Sequence, residues 1–186
     1  MAFGQKCMLA TALLLLAACR SEPIQFHTLI PVQPGGYTES GGTDIQIEAI
    51  SVPPQVDRQQ IVIRQSTSSL AVLETQWWGA SLIDEMRSAL VDQLLTSSTG
   101  RKVSVRVDVQ RFDSIPGQHA LIDVKWRLRN VGAGDNTLLT CRSILKTPTG
   151  ASIDEIVIAH QNNLKRLASE INQAAGSTVS ACPSKP

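Results

Sequence analysis

The sequence predicts an α/β domain in which a mixed β-sheet is combined with two long helices. Several runs alternate apolar and polar residues, which is typical of strands with one buried face. Two other segments place apolar residues at the three-to-four spacing of an amphipathic helix. Glycine and proline separate these segments. A chain of 186 residues, 42% of them hydrophobic, can build one core.

The amino-terminal part predicts short strands joined by irregular connections. Ile24–Ile30 is the first predicted strand, and Pro31–Asp44, which contains two Gly-Gly pairs, is predicted to be a flexible connection. Asp44–Pro53 alternates and predicts a second strand. Two shorter β-rich runs follow, at Ile61–Arg64 and Leu70–Glu74.

Two segments carry helical patterns. Ser81–Leu95 places leucine and methionine residues four apart, and acidic residues occupy its first turn, where they favour the helix dipole. The second helix has a clearer start, because Ser152 and Glu155 form a capping box. Its apolar stripe continues to Gly176, a residue type typical of helix ends.

An antiparallel hairpin is predicted between the two helices. Val103–Val109 alternates throughout, Pro116-Gly117 marks a turn, and Leu121–Arg129 alternates again. The second run places Trp126 on the apolar face, opposite a polar face in water. A further turn leads into a strand at Thr137–Lys146.

The polar face of the second hairpin strand carries a basic stripe formed by Lys125, Arg127 and Arg129. Such a stripe is usually a solvated strand face. The alternative is a contact with a partner or another copy, because unpaired buried charge is costly and cations need water or acidic neighbours. Asp108 and Asp123 are expected to neutralise part of the stripe.

Trp77 and Trp78 are adjacent just before the first helix. Neighbouring side chains on an extended segment point to opposite faces, so one ring is expected in the core and the other at the surface. The surface ring either lies flat on the protein or anchors an interface, where tryptophan is enriched. Trp77 is the candidate interface residue.

The sequence contains none of the motifs that usually mark an enzyme. Gly-x-Ser-x-Gly, His-Glu-x-x-His, phosphate-binding loops and Cys-x-x-Cys are missing, and the three histidines are scattered. We therefore predict no catalytic residue, no metal ligand and no cofactor. Without the leader, basic and acidic residues balance at sixteen each, which gives no overall drive toward nucleic acid.

The amino terminus resembles a bacterial lipoprotein signal. Lys6 precedes the apolar run Met8–Ala18, which is too short to span a bilayer. The run ends in Leu16-Ala17-Ala18-Cys19, similar to a lipobox, whose cysteine thiol receives a diacylglyceryl group. The alternative is an ordinary signal with an incidental cysteine. Arg20, in place of an inner-membrane retention aspartate, favours the outer membrane.

These features divide the chain into a signal at 1–18, a lipidated tether at 19–23, a single domain at 24–176 and a polar tail at 177–186. Cys7 leaves with the signal and Cys19 is expected to carry lipid, so Cys141 and Cys182 remain. An oxidising compartment permits them to pair, and we predict a disulfide, although their separation in sequence does not fix their distance.

A set of short motifs, taken in order, resembles the ABC-type transport auxiliary lipoproteins, the PqiC-like family. "VPPQVDRQQIVIR" at Val52–Arg64 is similar to that family's P-x-x-L-D-R-x-x-I-V-x-R pattern, with Gln59 where proline is common. The other motifs are Phe26-His27-Thr28-Leu29, Trp78 at the opening of the first helix, Arg111–Asp113, Trp126 and Ala159–Ile171.

The resemblance implies a fold similar to the TolB amino-terminal domain, an anticodon-binding-like architecture. It also implies a non-enzymatic lipoprotein that works with a mammalian-cell-entry (MCE) type periplasmic protein and, indirectly, an ABC transporter. Such systems move lipid between two membranes and support membrane integrity. The expected role is that of a docking collar: the lipid-anchored domain, as a ring-like homo-oligomer, receives the far end of the MCE assembly at the outer membrane. The alternatives are a periplasmic lipid carrier or a hydrolytic lipoprotein.

We predict that Cys19→Ala leaves the precursor without lipid, because the acyl transfer requires the thiol. Incorporation of radiolabelled palmitate measures this directly. Label that still enters the mutant protein would show that the lipobox interpretation is wrong.

Overall fold

The computed structural model describes residues 22–32, 43–94, 101–131, 138–176 and 181–183. Cys19 and the predicted turn at Gly132–Asn136 lie outside these residues. The described elements, in order, are β1 (Gln25–His27), β2 (Thr43–Ser51), β3 (Gln60–Arg64), β4 (Leu70–Trp78), α1 (Leu82–Val91), β5 (Arg101–Ile115), β6 (His119–Asn130), β7 (Leu138–Pro148) and α2 (Ile153–Gly176). The predicted mixed α/β class is confirmed.

The strands form two mixed sheets, where the sequence suggested one. The larger sheet has the order β2-β5-β6-β7, with β2 parallel to β5 and the other pairs antiparallel. The smaller sheet has the order β1-β4-β3, with β1 parallel to β4. The division arises because β1 and β3 both hydrogen-bond to β4, which leaves β2 to pair across the chain with β5.

Several bounds differ from the sequence prediction. β4 extends through Trp78, beyond the predicted end at Glu74, because its last three residues pair with β1. The helix α1 begins after its N-cap Ser81, whose side chain accepts from the Asp84 amide, and it ends at Val91. Neither helix in the described ranges is long and apolar enough to cross a membrane.

Trp126 lies at the centre of the core between β6 and α2. Its side chain is fully buried, and its indole N–H donates to Ser143 Oγ on β7 at 2.9 Å. The Ser143 hydroxyl in turn donates to the Glu170 carboxylate on α2. This chain of hydrogen bonds joins two strands to the helix. The residues that α2 buries around it include Leu164, Leu167, Ala168 and Ile171.

The segment after β1 is fixed to both helices. The buried Glu85 carboxylate on α1 accepts from Thr28 Oγ1 at 2.7 Å and from the Leu29 amide at 2.8 Å. Gln161 on α2 donates to the Thr28 carbonyl at 3.0 Å. The Leu29 side chain has no exposed surface. The start of the domain is thereby held by hydrogen bonds as well as by apolar packing.

A disulfide joins Cys141, which is buried in β7, to Cys182 near the carboxyl end. Their Cα atoms are 5.6 Å apart, and 41 positions separate them in sequence. The bond therefore ties the segment after α2 back to an edge strand of the larger sheet.

We predict that the protein purified from the periplasm shows no free thiol at these two positions when it is unfolded without reductant. Replacing both cysteines with serine is expected to lower the free energy of unfolding by about 3–4 kcal/mol, because the closed loop restricts the unfolded chain. Thiol titration and denaturant unfolding measure the two effects. Two titratable thiols in the unreduced protein would contradict the pairing.

Candidate functional site

The basic stripe lies on the outward face of the larger sheet, away from α2. Lys125 and Arg129 are exposed and Arg127 is half-buried, whereas Trp126 between them points into the core. Because β6 is an interior strand that pairs antiparallel with both β5 and β7, the backbone positions of the three cations are fixed relative to each other. The structure therefore brings these predicted residues together on one face.

Two carboxylates partly compensate the stripe. Arg127 donates to Asp108 on β5 at 2.9 Å, as expected. Glu48 on β2 lies 2.9 Å from the Arg106 guanidinium and 3.9 Å from that of Arg129. Sequence reasoning missed Glu48, although its alternation with Ile47 was visible, because nothing local indicated that β2 pairs with β5.

Asp123 is directed mainly toward β7 and less toward the stripe. Its two carboxylate oxygens accept from Arg142 at 2.8 and 2.6 Å. These hydrogen bonds are the main reason why the pKa of Asp123 lies below its usual value, with further attraction from the charges of Arg142, Arg111 and Lys125. Among the described residues, the ion pair of Asp123 is therefore with Arg142 and not with a cation of the stripe.

The stripe borders an open cleft of about 170 Å³. Three guanidinium groups and a single carboxylate line it, together with one apolar side chain. Guanidinium groups bind carboxylates and phosphates through paired hydrogen bonds, so the arrangement suits an acidic partner. The lining residues are Glu48, Arg106, Arg127, Arg129 and Leu138.

A second ionic cluster connects the two sheets. Asp113 on β5 is buried and accepts from Arg64 of β3 at 3.0 and 3.1 Å, and from Arg111 on its own strand. Arg64 ends the motif at 52–64, and Arg111 and Asp113 belong to the Arg-Phe-Asp motif. These two motifs therefore meet in the structure and brace the smaller sheet against the larger one.

The adjacent tryptophans divide between core and surface. Trp78 is 2% exposed, and its ring lies edge-to-face with Phe112, 6.3 Å between centroids. Trp77 is only half-buried. Its indole N–H donates to the Glu74 carbonyl at 2.9 Å, and its ring lies 6.3 Å from that of Phe26. Trp77 belongs to the smaller sheet, so it does not form one site with the basic stripe.

Ser114 and His160 form a hydrogen-bonded pair that sequence reasoning did not anticipate. Ser114 Oγ lies 2.9 Å from His160 Nε2, and the Phe112 ring stacks on the imidazole at 3.9 Å. A catalytic pair needs access to substrate and a third group that orients the base. Here both side chains are buried, and His160 Nδ1 has no partner within the described ranges. The pair is a structural feature of the core.

Burial lowers the pKa of His160 to about 3, and the neighbouring Asp113 carboxylate opposes this shift only in part. The imidazole is therefore neutral at physiological pH. Within the part of the chain that the structure describes, no group of three or more His, Cys, Asp and Glu side chains is placed to hold a metal ion.

The sequence model of the ABC-type transport auxiliary lipoprotein component family matches residues 27–172. The chain belongs to this family. The match covers β2 to β7, α1 and all but the last four residues of α2, and of β1 it includes only His27. An auxiliary role in transport and a place in the cell envelope follow from membership, and that role favours a protein without enzymatic activity.

Two crystal structures share the fold of this transport auxiliary protein. One, of an uncharacterized protein, has a TM-score of 0.67 at 16% identity and covers 82% of this chain and 98% of its own. The other, from Xanthomonas campestris and assigned to the DUF330 family, has a TM-score of 0.62 at 15% identity, with 82% and 95% covered. No curated protein sequence matches significantly. At these identities the likeness shows the fold alone.

We predict that the free energy of unfolding decreases as the pH falls from 6.5 toward 4.5. The unfolded chain protonates His160 near its ordinary pKa of 6.5, whereas the folded chain does not until about pH 3, so acid favours unfolding. One such group contributes about 1.4 kcal/mol per pH unit, so about 2–3 kcal/mol over this range. Denaturant titrations at several pH values measure the slope.

His160→Gln is expected to flatten this pH dependence while keeping a polar partner for Ser114. His119→Gln is the matched control. The pKa of His119 is also lowered, by burial and by the charge of Lys146, but the residue is only partly buried. Replacing His119 should therefore change the pH dependence of stability less than replacing His160. A slope that is unchanged in His160→Gln would contradict the assignment.

Proposed function

We propose that the protein is the outer-membrane subunit of an MCE and ABC-type system that moves lipid between membranes. The acyl chains on Cys19 hold it on the periplasmic face, and residues 24–176 form the domain that receives the MCE-type partner. It acts as a docking collar without catalytic activity, assembled as a ring-like homo-oligomer, and so supports membrane integrity. Residues 177–186 are a polar tail that Cys182 joins to β7.

The observation that carries this proposal is the arginine-lined cleft on the outward face of the larger sheet. Among the described residues, the ion pairs of Arg106, Arg127 and Arg129 are with Glu48 and Asp108, two carboxylates for three guanidinium groups. The remaining positive charge attracts an acidic surface, and such complementarity fixes the orientation of docking as well as its rate. Because interior strands hold the side chains, the surface is rigid before contact.

The interior gives less support to a lipid carrier. The space between the larger sheet and α2 is filled by fully buried side chains, among them Trp126, Leu164 and Ile171. An open cleft lined in part by Val62 and Phe112 measures about 30 Å³. A second open cleft of about 330 Å³ is lined mainly by polar residues, among them Arg64, Gln65 and Gln118, and so does not suit an acyl chain. These features favour a docking surface.

Native mass spectrometry of the delipidated domain separates the two functions. A lipid-free oligomer supports the collar. A phospholipid that copurifies in stoichiometric amount would instead support the carrier, since the docking role requires no bound lipid.

We predict that the double variant Arg127→Glu and Arg129→Glu weakens association by at least tenfold and leaves the fold intact. The reversed charges repel an acidic partner, whereas loss of the half-exposed Arg127–Asp108 ion pair costs only about 0–1 kcal/mol of stability. Pull-down with the MCE-type protein and sedimentation of the isolated domain measure the two possible contacts, and circular dichroism checks the fold.

The matched control is the double variant Lys165→Glu and Arg166→Glu, which changes the charge equally on the exposed side of α2. It is expected to leave both associations unchanged. If both double variants behave like the wild type, the stripe is an ordinary solvated strand face and the docking surface lies elsewhere.

A further inference from the structure

An aromatic pair lies at the surface of the smaller sheet, and one of its members, Phe26, is close in sequence to the predicted lipidation site at Cys19. Phe26 of β1 and Trp77 of β4 are register partners in the parallel pair, and their rings meet edge-to-face with centroids 6.3 Å apart. Phe26 is 66% exposed and Trp77 is half-buried. The core is filled from β4 by Trp78, so neither the Phe26 ring nor the Trp77 ring is needed there.

The chain around this pair is unusually apolar for a surface. Ile24, Ile30 and Val32 are also exposed, so four of the eleven large exposed hydrophobic residues in the described ranges fall between positions 24 and 32. Single exposed apolar residues are common, but a concentration of them marks an interaction surface. The question is which surface covers it.

The length of the tether answers this question. Ile24 lies five positions after Cys19 and Phe26 lies seven positions after it, so a fully extended chain spans at most about 18 and 25 Å. Acyl chains on Cys19 fix that residue at the level of the lipid headgroups. The aromatic pair is therefore tethered within a short reach of the bilayer in every copy of the protein.

We propose that Phe26 and Trp77, with Ile24, form a membrane seat: the face of the smaller sheet that rests on the bilayer surface and orients the domain there. Aromatic rings of this kind concentrate at the membrane–water interface. The hydrogen bond from the Trp77 indole to the Glu74 carbonyl sets the ring orientation before it meets lipid. The inference rests on lipidation of Cys19, which is part of the proposed function.

The charges beside the seat select the kind of lipid contact. Glu22 comes two positions before Ile24 and Glu74 three positions before Trp77; both are exposed, and carboxylates disfavour an anionic surface. The contact is therefore apolar and suits zwitterionic headgroups. It should persist at high salt, because screening weakens contacts between charges and not the burial of apolar rings.

The test uses the lipidated full-length protein in phosphatidylcholine vesicles that contain a lipid with a nitroxide near the headgroup. In the wild type, part of the tryptophan emission is expected to be quenched, and 0.5 M NaCl should not change it. Trp77→Phe keeps an aromatic ring but removes the fluorophore at the seat. The amount of tryptophan emission that the nitroxide removes should then fall at least threefold, because the two remaining tryptophans, Trp78 and Trp126, are 2% and 0% exposed.

Phe26→Ser keeps Trp77 as the reporter and is expected to reduce the quenching at least twofold. The matched control is Ile158→Ser, which removes a similarly exposed apolar residue from α2 and should change nothing. Equal quenching in the wild type and in Trp77→Phe, or no quenching at all, would overturn the seat.

The mass of the amino-terminal peptide reports lipidation independently. Absence of quenching in a protein with confirmed lipid overturns the seat alone, whereas an unlipidated mature protein overturns both the seat and the anchored collar. If the lipid-free domain forms an oligomer that Phe26→Ser dissociates, the rings form a contact between copies and the membrane seat is wrong.

Discussion

The structure depends on covering the apolar face of β5, β6 and β7 with α2. Trp126 occupies the middle of this face, and its hydrogen bond to Ser143, continued to Glu170, fixes where the helix crosses the strands. Because side chains alternate along a strand, burying one face commits the other to water. The outward cluster of arginines is thus a direct consequence of the register that places Trp126 inside.

The motifs that mark the family mainly brace the fold. Arg64 and Asp113 join the two sheets, and Phe112 between the motif's charged residues packs against Trp78 and His160. A buried ion pair is costly unless its hydrogen bonds are satisfied, and the Asp113 carboxylate has two arginine partners. The residues suited to binding, the cleft and the aromatic pair, lie largely outside these braces and depend on them for position.

The sequence predicted those features that depend on residues close together in the chain. Alternation placed Trp126 inside and Arg127 outside, and the capping box located the start of α2, where Glu155 accepts from the Ser152 amide. What the sequence did not reveal involves residues distant along the chain. The pairing of β2 with β5, which brings Glu48 to the arginines, and the burial of Glu85 against Leu29 both depend on tertiary contacts that no short window contains.

The parallel pairing of β1 with β4 has a mechanical meaning. In the proposed anchored state, tension between the lipid on Cys19 and a docked partner would enter the domain through the backbone of β1. A pull along that strand loads all of its hydrogen bonds to β4 at once, in shear. Peeling the strand from one end would instead break these hydrogen bonds one at a time. Beyond them the tension meets Leu29, fully buried and bonded through its amide to Glu85. This arrangement resists a pull on the amino terminus of the domain.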